Sequence, residues 1–191
     1  MKALKLLMEA GVKTNIHYVL SRDSVEEALD RLQNHGFPQG VNAVVFLLHK
    51  PVGLGTARKV ISNDCEAFRE LIRLAGKKAF DWKLGFDSCS VPALLRDGTE
   101  IDPSSLDTCE GARWSAYISP DMKMMPCSFD NQELRWAVDL RTHSIEEAWR
   151  GRAFEAFREH FRKSCPDCEM RESCMGGCPI CPEIVLSGRT S

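Results

Sequence analysis

The sequence has no excess of either charge, no long apolar run, no internal repeat and no low-complexity tract. Lys and Arg number 25 against 27 Asp and Glu, a formal net charge of −2. So balanced a chain offers no electrostatic case for nucleic acid or an anionic lipid surface as its main partner. The longest unbroken apolar run, Ala43 to Leu48, is six residues, against the roughly 20 that a membrane-spanning helix needs. The opening MKALKLLMEAGVK breaks its apolar stretch with Glu9 and offers no small-residue cleavage site, so it is not read as a secretory signal. What remains is an ordinary globular chain of 191 residues, 43% hydrophobic and 27% charged. That length buries roughly 70% of the unfolded surface without crosslinks.

Cysteine is what the chain does have. There are nine, Cys65, Cys89, Cys109, Cys127, Cys165, Cys168, Cys174, Cys178 and Cys181. An odd count, no secretory signal and CxxC pairs argue against a disulfide scaffold and for metal ligation in a reducing cytosol. Cys65 suits a packing role, because an unbridged Cys behaves as a small hydrophobe. The last five cannot all be core, since they fall within 17 residues of polar sequence with the spacing Cys165-x2-Cys168-x5-Cys174-x3-Cys178-x2-Cys181. A CxxC turn brings two thiolates to one site at little loop-closure cost. As a zinc ribbon the two CxxC pairs stand too close, nine residues apart against a usual gap of roughly 15–20, and Cys174 is left over. Iron–sulfur clusters take four thiolates each and accept such runs.

The rest of the chain divides by pattern. Residues 2–11 read as a short amphipathic helix, Thr14 to Leu20 as a strand, and Ser24 with Glu27 as the capping box of a helix ending at Gly36. Asn42 to Leu48 is an apolar strand suited to burial on both faces of a parallel sheet. A helix follows from about Asp64 to Ala75, with Phe68, Leu71 and Ile72 inward. That alternation is the signature of β/α crossover units. Near Phe80 the pattern changes: Pro, Ser, Asp and Cys become frequent. Trp114 to Ile118 and Lys123 to Met125 read as short strands joined by a turn at Ser119-Pro120-Asp121-Met122. Ser144 with Glu147 opens another capped helix, and Phe154, Phe157 and Phe161 form the buried stripe of the next. Trp114, Trp136 and Trp149 are expected to pack this half.

Taken in order, the cysteines resemble the C-terminal part of a radical S-adenosylmethionine enzyme with a SPASM domain. That pattern runs Cys, nine to fifteen residues, Gly, four residues, Cys, then C-x2-C-x5-C-x3-C, then a last Cys. Here Cys109 is followed by twelve residues, Met122, four residues and Cys127, then by Cys165, Cys168, Cys174, Cys178 and Cys181. Met122 stands where the family has Gly, and the last gap is short. The resemblance implies an α/β fold: residues 1–79 as the last β/α units of a partial (β/α)6 barrel, and residues 80–191 as a small cysteine-rich α+β domain. It implies one or two auxiliary [4Fe–4S] clusters. Carried over by position, one would use Cys109, Cys127, Cys178 and an upstream cysteine, for which Cys89 is the candidate. The other would use Cys165, Cys168, Cys174 and Cys181. An open fourth iron at the first cluster is the alternative to Cys89.

Cys174-x3-Cys178-x2-Cys181 is also literally CxxxCxxC, the family's catalytic motif. It lies at the wrong end of the chain for that role, with Ile180 before its last Cys, and no other copy occurs. The resemblance therefore implies an enzyme fragment that lacks the loop binding the catalytic cluster and most contacts to S-adenosylmethionine. By the same resemblance, the missing half of the barrel is an expected partner and a peptide or protein an expected substrate. His49, Lys50 and Gly53, just after an expected barrel strand, are candidate cofactor-pocket residues, because barrel active sites gather at strand C-terminal ends. Two other readings stay open: a non-catalytic zinc module, and an electron-transfer protein that uses its clusters without S-adenosylmethionine.

Overall fold

The structure, a computed structural model, describes residues 2–62, 64–77, 79–131, 133–164 and 177–181. It opens with helix α1 (Lys2–Glu9), strand β1 (Asn15–Leu20), helix α2 (Val25–Gln33), strand β2 (Ala43–Leu48) and helix α3 (Glu66–Lys77). Strand β3 (Lys83–Phe86) and helix α4 (Val91–Asp97) follow. The strands form one parallel sheet in the order β1-β2-β3, with His17 opposite Val45 and Val45 opposite Gly85. The α/β reading thus holds, and the parallel sheet runs on past residue 79. β3 escapes a sequence reading because KLGF is four residues long and carries Lys and Gly, both poor strand formers.

One face of the sheet packs against α2 and α3. Leu20, Val44, Phe46 and Leu48 meet Ala28 and Leu32 of α2 and Phe68, Leu71 and Ile72 of α3, all buried. Each of the larger side chains contributes about 1.5–3 kcal/mol by leaving water. Tyr18, Phe37 and Phe46 stack edge to face, with centroids 5.8–5.9 Å apart. The opposite face is open. His17 is exposed, Val19 is 51% exposed, and Val45 and Leu47 are half-buried, whereas parallel sheets ordinarily carry cover on both faces.

The capping box expected at Ser24 does not form. Its hydroxyl donates to the Val19 carbonyl at 2.8 Å and accepts the Ser21 amide at 3.0 Å, tying the helix to the end of β1. Glu27 turns instead to Arg31, 2.8 Å away.

The second half is built on an antiparallel sheet, β4 (Tyr117–Ile118), β5 (Lys123–Met125) and β6 (Val138–Asp139), followed by α5 (Ile145–Arg150) and α6 (Arg152–Ser164). Here the second capping box is present: the Glu147 amide donates to the Ser144 hydroxyl at 3.2 Å, and the Ser144 amide to the Glu147 carboxylate at 2.8 Å. The β4–β5 turn explains the family's glycine. Met122 donates its amide to the Ser119 carbonyl at 3.0 Å and sits at φ +62, closing a β-turn with a left-handed residue. Between α5 and α6, a Cβ on Gly151 would stand 2.8 Å from the Glu147 carbonyl oxygen, so only glycine fits the break.

Ala112, Met124, Trp136, Ala148, Phe154 and Phe157 make this second core, with Trp149 packed on it; the side chain of Phe161 lies outside the described part. Trp114 does not pack as expected and is 79% exposed. It sits on a tight turn whose Arg113, Trp114 and Ser115 amides all donate to the Glu110 carbonyl, and this turn also delays the strand to Tyr117. Among the described residues no helix is long and apolar enough to cross a membrane.

Candidate metal centre

The C-terminal ends of the three parallel strands face the loops that flank β4 and β5 across a cavity of about 650 Å³. Leu48, His49 and Lys50 reach it from the end of β2, and Asp87, Ser88 and Cys89 from the end of β3. From the other side come Cys109, Glu110 and Gly111, and Cys127 with Phe129. The close approach at Gly111 is tight: a Cβ there would lie 3.0 Å from the Pro126 carbonyl oxygen and 3.6 Å from Cys109 Sγ.

Three of the expected ligands, Cys89, Cys109 and Cys127, thus line one cavity. Cys178 lies within electrostatic reach of all three, and Cys109 within reach of Cys89 and Cys127. These four sulfurs come from four separate segments of chain. Burial pushes the Cys89 thiol up to about 12, against the opposing pull of the Lys50 amine. Burial likewise raises Cys109, against the Gly111 amide, and Cys127, against the Phe129 amide. Cys178 moves the other way, to about 6. A hydrogen bond with the Cys181 side chain is the main cause; burial opposes it, and the amides of Cys181 and Ile180 add to it. The Cys181 amide is 3.4 Å from Cys178 Sγ. Ligation of a metal by these cysteines displaces their thiol protons and is favoured by rising pH.

Four thiols are a donor set that an iron–sulfur cluster accepts, one thiolate to each iron. Four thiolates on a single zinc, at about 2.3 Å each, stand roughly 3.8 Å apart by tetrahedral geometry. Among the described residues no three His, Cys, Asp or Glu side chains are grouped closely enough to hold one metal ion. A four-iron cluster takes its four thiolates on separate irons, which calls for a wider ring of sulfurs around a roomy, mostly apolar space.

The other expected site residues separate. His49 lines the cavity while its Nε2 meets the Thr56 carbonyl at 3.1 Å. Gly53 lies in the loop beyond at φ +60, outside the lining, with nothing within 4 Å of the Cβ it lacks. Cys181 is 1% exposed and joins the first core beside Cys178. Cys65 precedes α3 and packs on the same core. Cys165, Cys168 and Cys174 lie outside the described residues. Sequence reasoning missed Asp87, which holds Lys50 at 2.6 Å. Its only signal was its place in GFDSCS at the end of an unread strand.

Residues 109–178 match a family model described as SPASM, an iron–sulfur cluster-binding domain. No curated protein and no solved structure matches the chain.

Proposed function

Taking as premise that residues 109–178 are a SPASM domain, which binds iron–sulfur clusters, we propose that Cys89, Cys109, Cys127 and Cys178 hold one [4Fe–4S] cluster. Cys165, Cys168, Cys174 and Cys181 hold a second. The observation that carries the first assignment is that Cys89, Cys109 and Cys127, from three segments, line one cavity, with Cys178 of a fourth segment within electrostatic reach of each. Cys89 lies outside the matched span and still falls in that group, which favours it as the fourth ligand over an open iron.

Residues 1–79 with β3 serve as late β/α units of a radical S-adenosylmethionine barrel. The parallel order, the open sheet face and a cavity at the strand C-terminal ends support this. A bound [4Fe–4S] cluster supplies one-electron transfer. The protein's own contribution is to hold the sulfurs, exclude water and set the local charge. Ligation by four cysteines leaves no iron open, which favours electron relay over direct substrate binding. The reaction served is radical modification of a peptide or protein, and radical generation belongs outside this chain, whose CxxxCxxC, Cys174 to Cys181, supplies auxiliary-cluster ligands.

Anaerobic purification tests the reading. A brown protein with iron and acid-labile sulfide in equal amounts is the expected result; a colourless protein with stoichiometric zinc contradicts it. Release of 5′-deoxyadenosine on reduction with S-adenosylmethionine by this chain alone would contradict the assignment of radical generation elsewhere.

A further inference from the structure

Lys50 and Asp87 form an ion pair at the edge of the cavity. The amine donates to Asp87 Oδ2 at 2.6 Å and to the Leu48 carbonyl at 3.2 Å, and it lies 5.2 Å from the centre of the Phe129 ring. The carboxylate is fixed in turn, accepting the Leu48 amide at 3.1 Å and the Ser90 hydroxyl at 2.7 Å. The two side chains are only 10% and 14% exposed. A pair this buried adds little to stability, because desolvation offsets the attraction, and an apolar pair of the same shape packs as well. The pair's value therefore lies in where it puts charge.

That charge faces sulfur. Lys50 lines the cavity with Cys89, Cys109 and Cys127. Its field reaches Cys89, Cys127 and Cys178, and at Cys89 it outweighs the opposing field of Asp87. Both ends of the pair line the cavity, and at Cys89 the positive end prevails. A fixed positive charge beside a cluster favours the state carrying one more electron.

We propose that Lys50 is a positioning residue for charge, raising the reduction potential of the cluster held by Cys89, Cys109, Cys127 and Cys178, with Asp87 moderating it. The proposal rests on the cluster assignment made above. The step is transfer of one electron from a low-potential one-electron donor, which is oxidised, to the cluster, whose charge falls by one unit. No proton is required, since the amine is already charged.

The test is a dye-mediated redox titration followed by electron paramagnetic resonance. It uses the anaerobically reconstituted full chain with Cys165, Cys168 and Cys174 changed to Ala, so that one cluster titrates. Lys50→Met is expected to keep its iron and sulfide while lowering the equilibrium constant for electron uptake roughly tenfold, a midpoint about 59 mV more negative. Lys50→Arg stays near the parent value. Asp87→Asn shifts the midpoint positive, and it decides the question if Lys50→Met fails to load. Loaded variants whose midpoints do not move overturn the role of Lys50. A parent chain that takes up no iron and sulfide overturns the cluster assignment instead.

Discussion

Asp130 closes the loop that follows Cys127, and removing its carboxylate should cost the second half of the fold much of its stability. The side chain is 2% exposed. Oδ1 accepts the Arg135 amide at 3.1 Å and Oδ2 the Trp136 amide at 3.0 Å, while its own amide donates to the Cys127 carbonyl at 3.1 Å. Trp136 then stacks edge-on against Phe157 with centroids 5.1 Å apart. Asp130→Ala strands one buried donor, the Trp136 amide, at about 1–3 kcal/mol, and frees the Arg135 amide, which water can partly satisfy, for a net of about 2 kcal/mol. Asp130→Asn keeps one acceptor and turns an amide donor toward the other N–H, for about 2 kcal/mol. Guanidinium unfolding followed by tryptophan fluorescence reads both as a lower midpoint at unchanged slope.

A pH series adds a sign. Burial raises the Asp130 carboxyl, more than the Trp136 and Arg135 amides lower it. The folded state therefore holds the proton more tightly than the unfolded chain. As pH falls from the raised folded value toward about 3.9, the unfolded value, this group adds stability. The gap between wild type and Asp130→Asn should widen over that window. Asp130→Ala within 0.5 kcal/mol of wild type, roughly the scatter of an inconsequential surface change, or a gap that narrows on acidification, would refute the reasoning.

Three further outcomes follow from single contacts. Met122→Gly should be as stable as wild type, or about 0.5 kcal/mol more so, since relief of the left-handed backbone slightly exceeds the entropy glycine adds to the unfolded chain; Met122→Ile should lose about 1 kcal/mol in the same melts. Phe157→Ala, at a position 1% exposed, should cost about 3–5 kcal/mol, and a loss under 1 kcal/mol would mean the second core is placed wrongly. The Asp139 carboxyl is held well below the usual range, first by the Arg141 guanidinium and then by the Lys123 amine. Its stabilising contribution is therefore present above the unfolded carboxylate value and lost as pH falls through the lower folded one; Asp139→Asn should flatten that acid-side slope.

What could be read from the chain followed the range of the interaction. β2 was legible because six consecutive apolar residues have one outcome in a parallel sheet, and the Ser144–Glu147 box because its partners are three residues apart. Ser24 and Glu27 have the same spacing, yet Ser24 is drawn to the Val19 carbonyl, a tertiary choice that local spacing does not encode. The cysteine spacing pointed to the iron–sulfur cluster-binding domain that the family match covers. It was silent on Lys50 with Asp87, a pair 37 residues apart that exists only because β2 and β3 are neighbours. Trp114 misled because a large aromatic is usually buried, while the turn on the Glu110 carbonyl points it to water.

The central claim, that thiols from four segments share one cluster, is tested most directly by iron and acid-labile sulfide analysis of single substitutions. Cys89→Ala, Cys109→Ala, Cys127→Ala and Cys65→Ala are each purified anaerobically as the full chain. The first three should each lose the same one cluster's complement of iron and sulfide, and Cys65→Ala should lose none. Equal metal content in all four, or a loss confined to Cys65→Ala, would contradict the account.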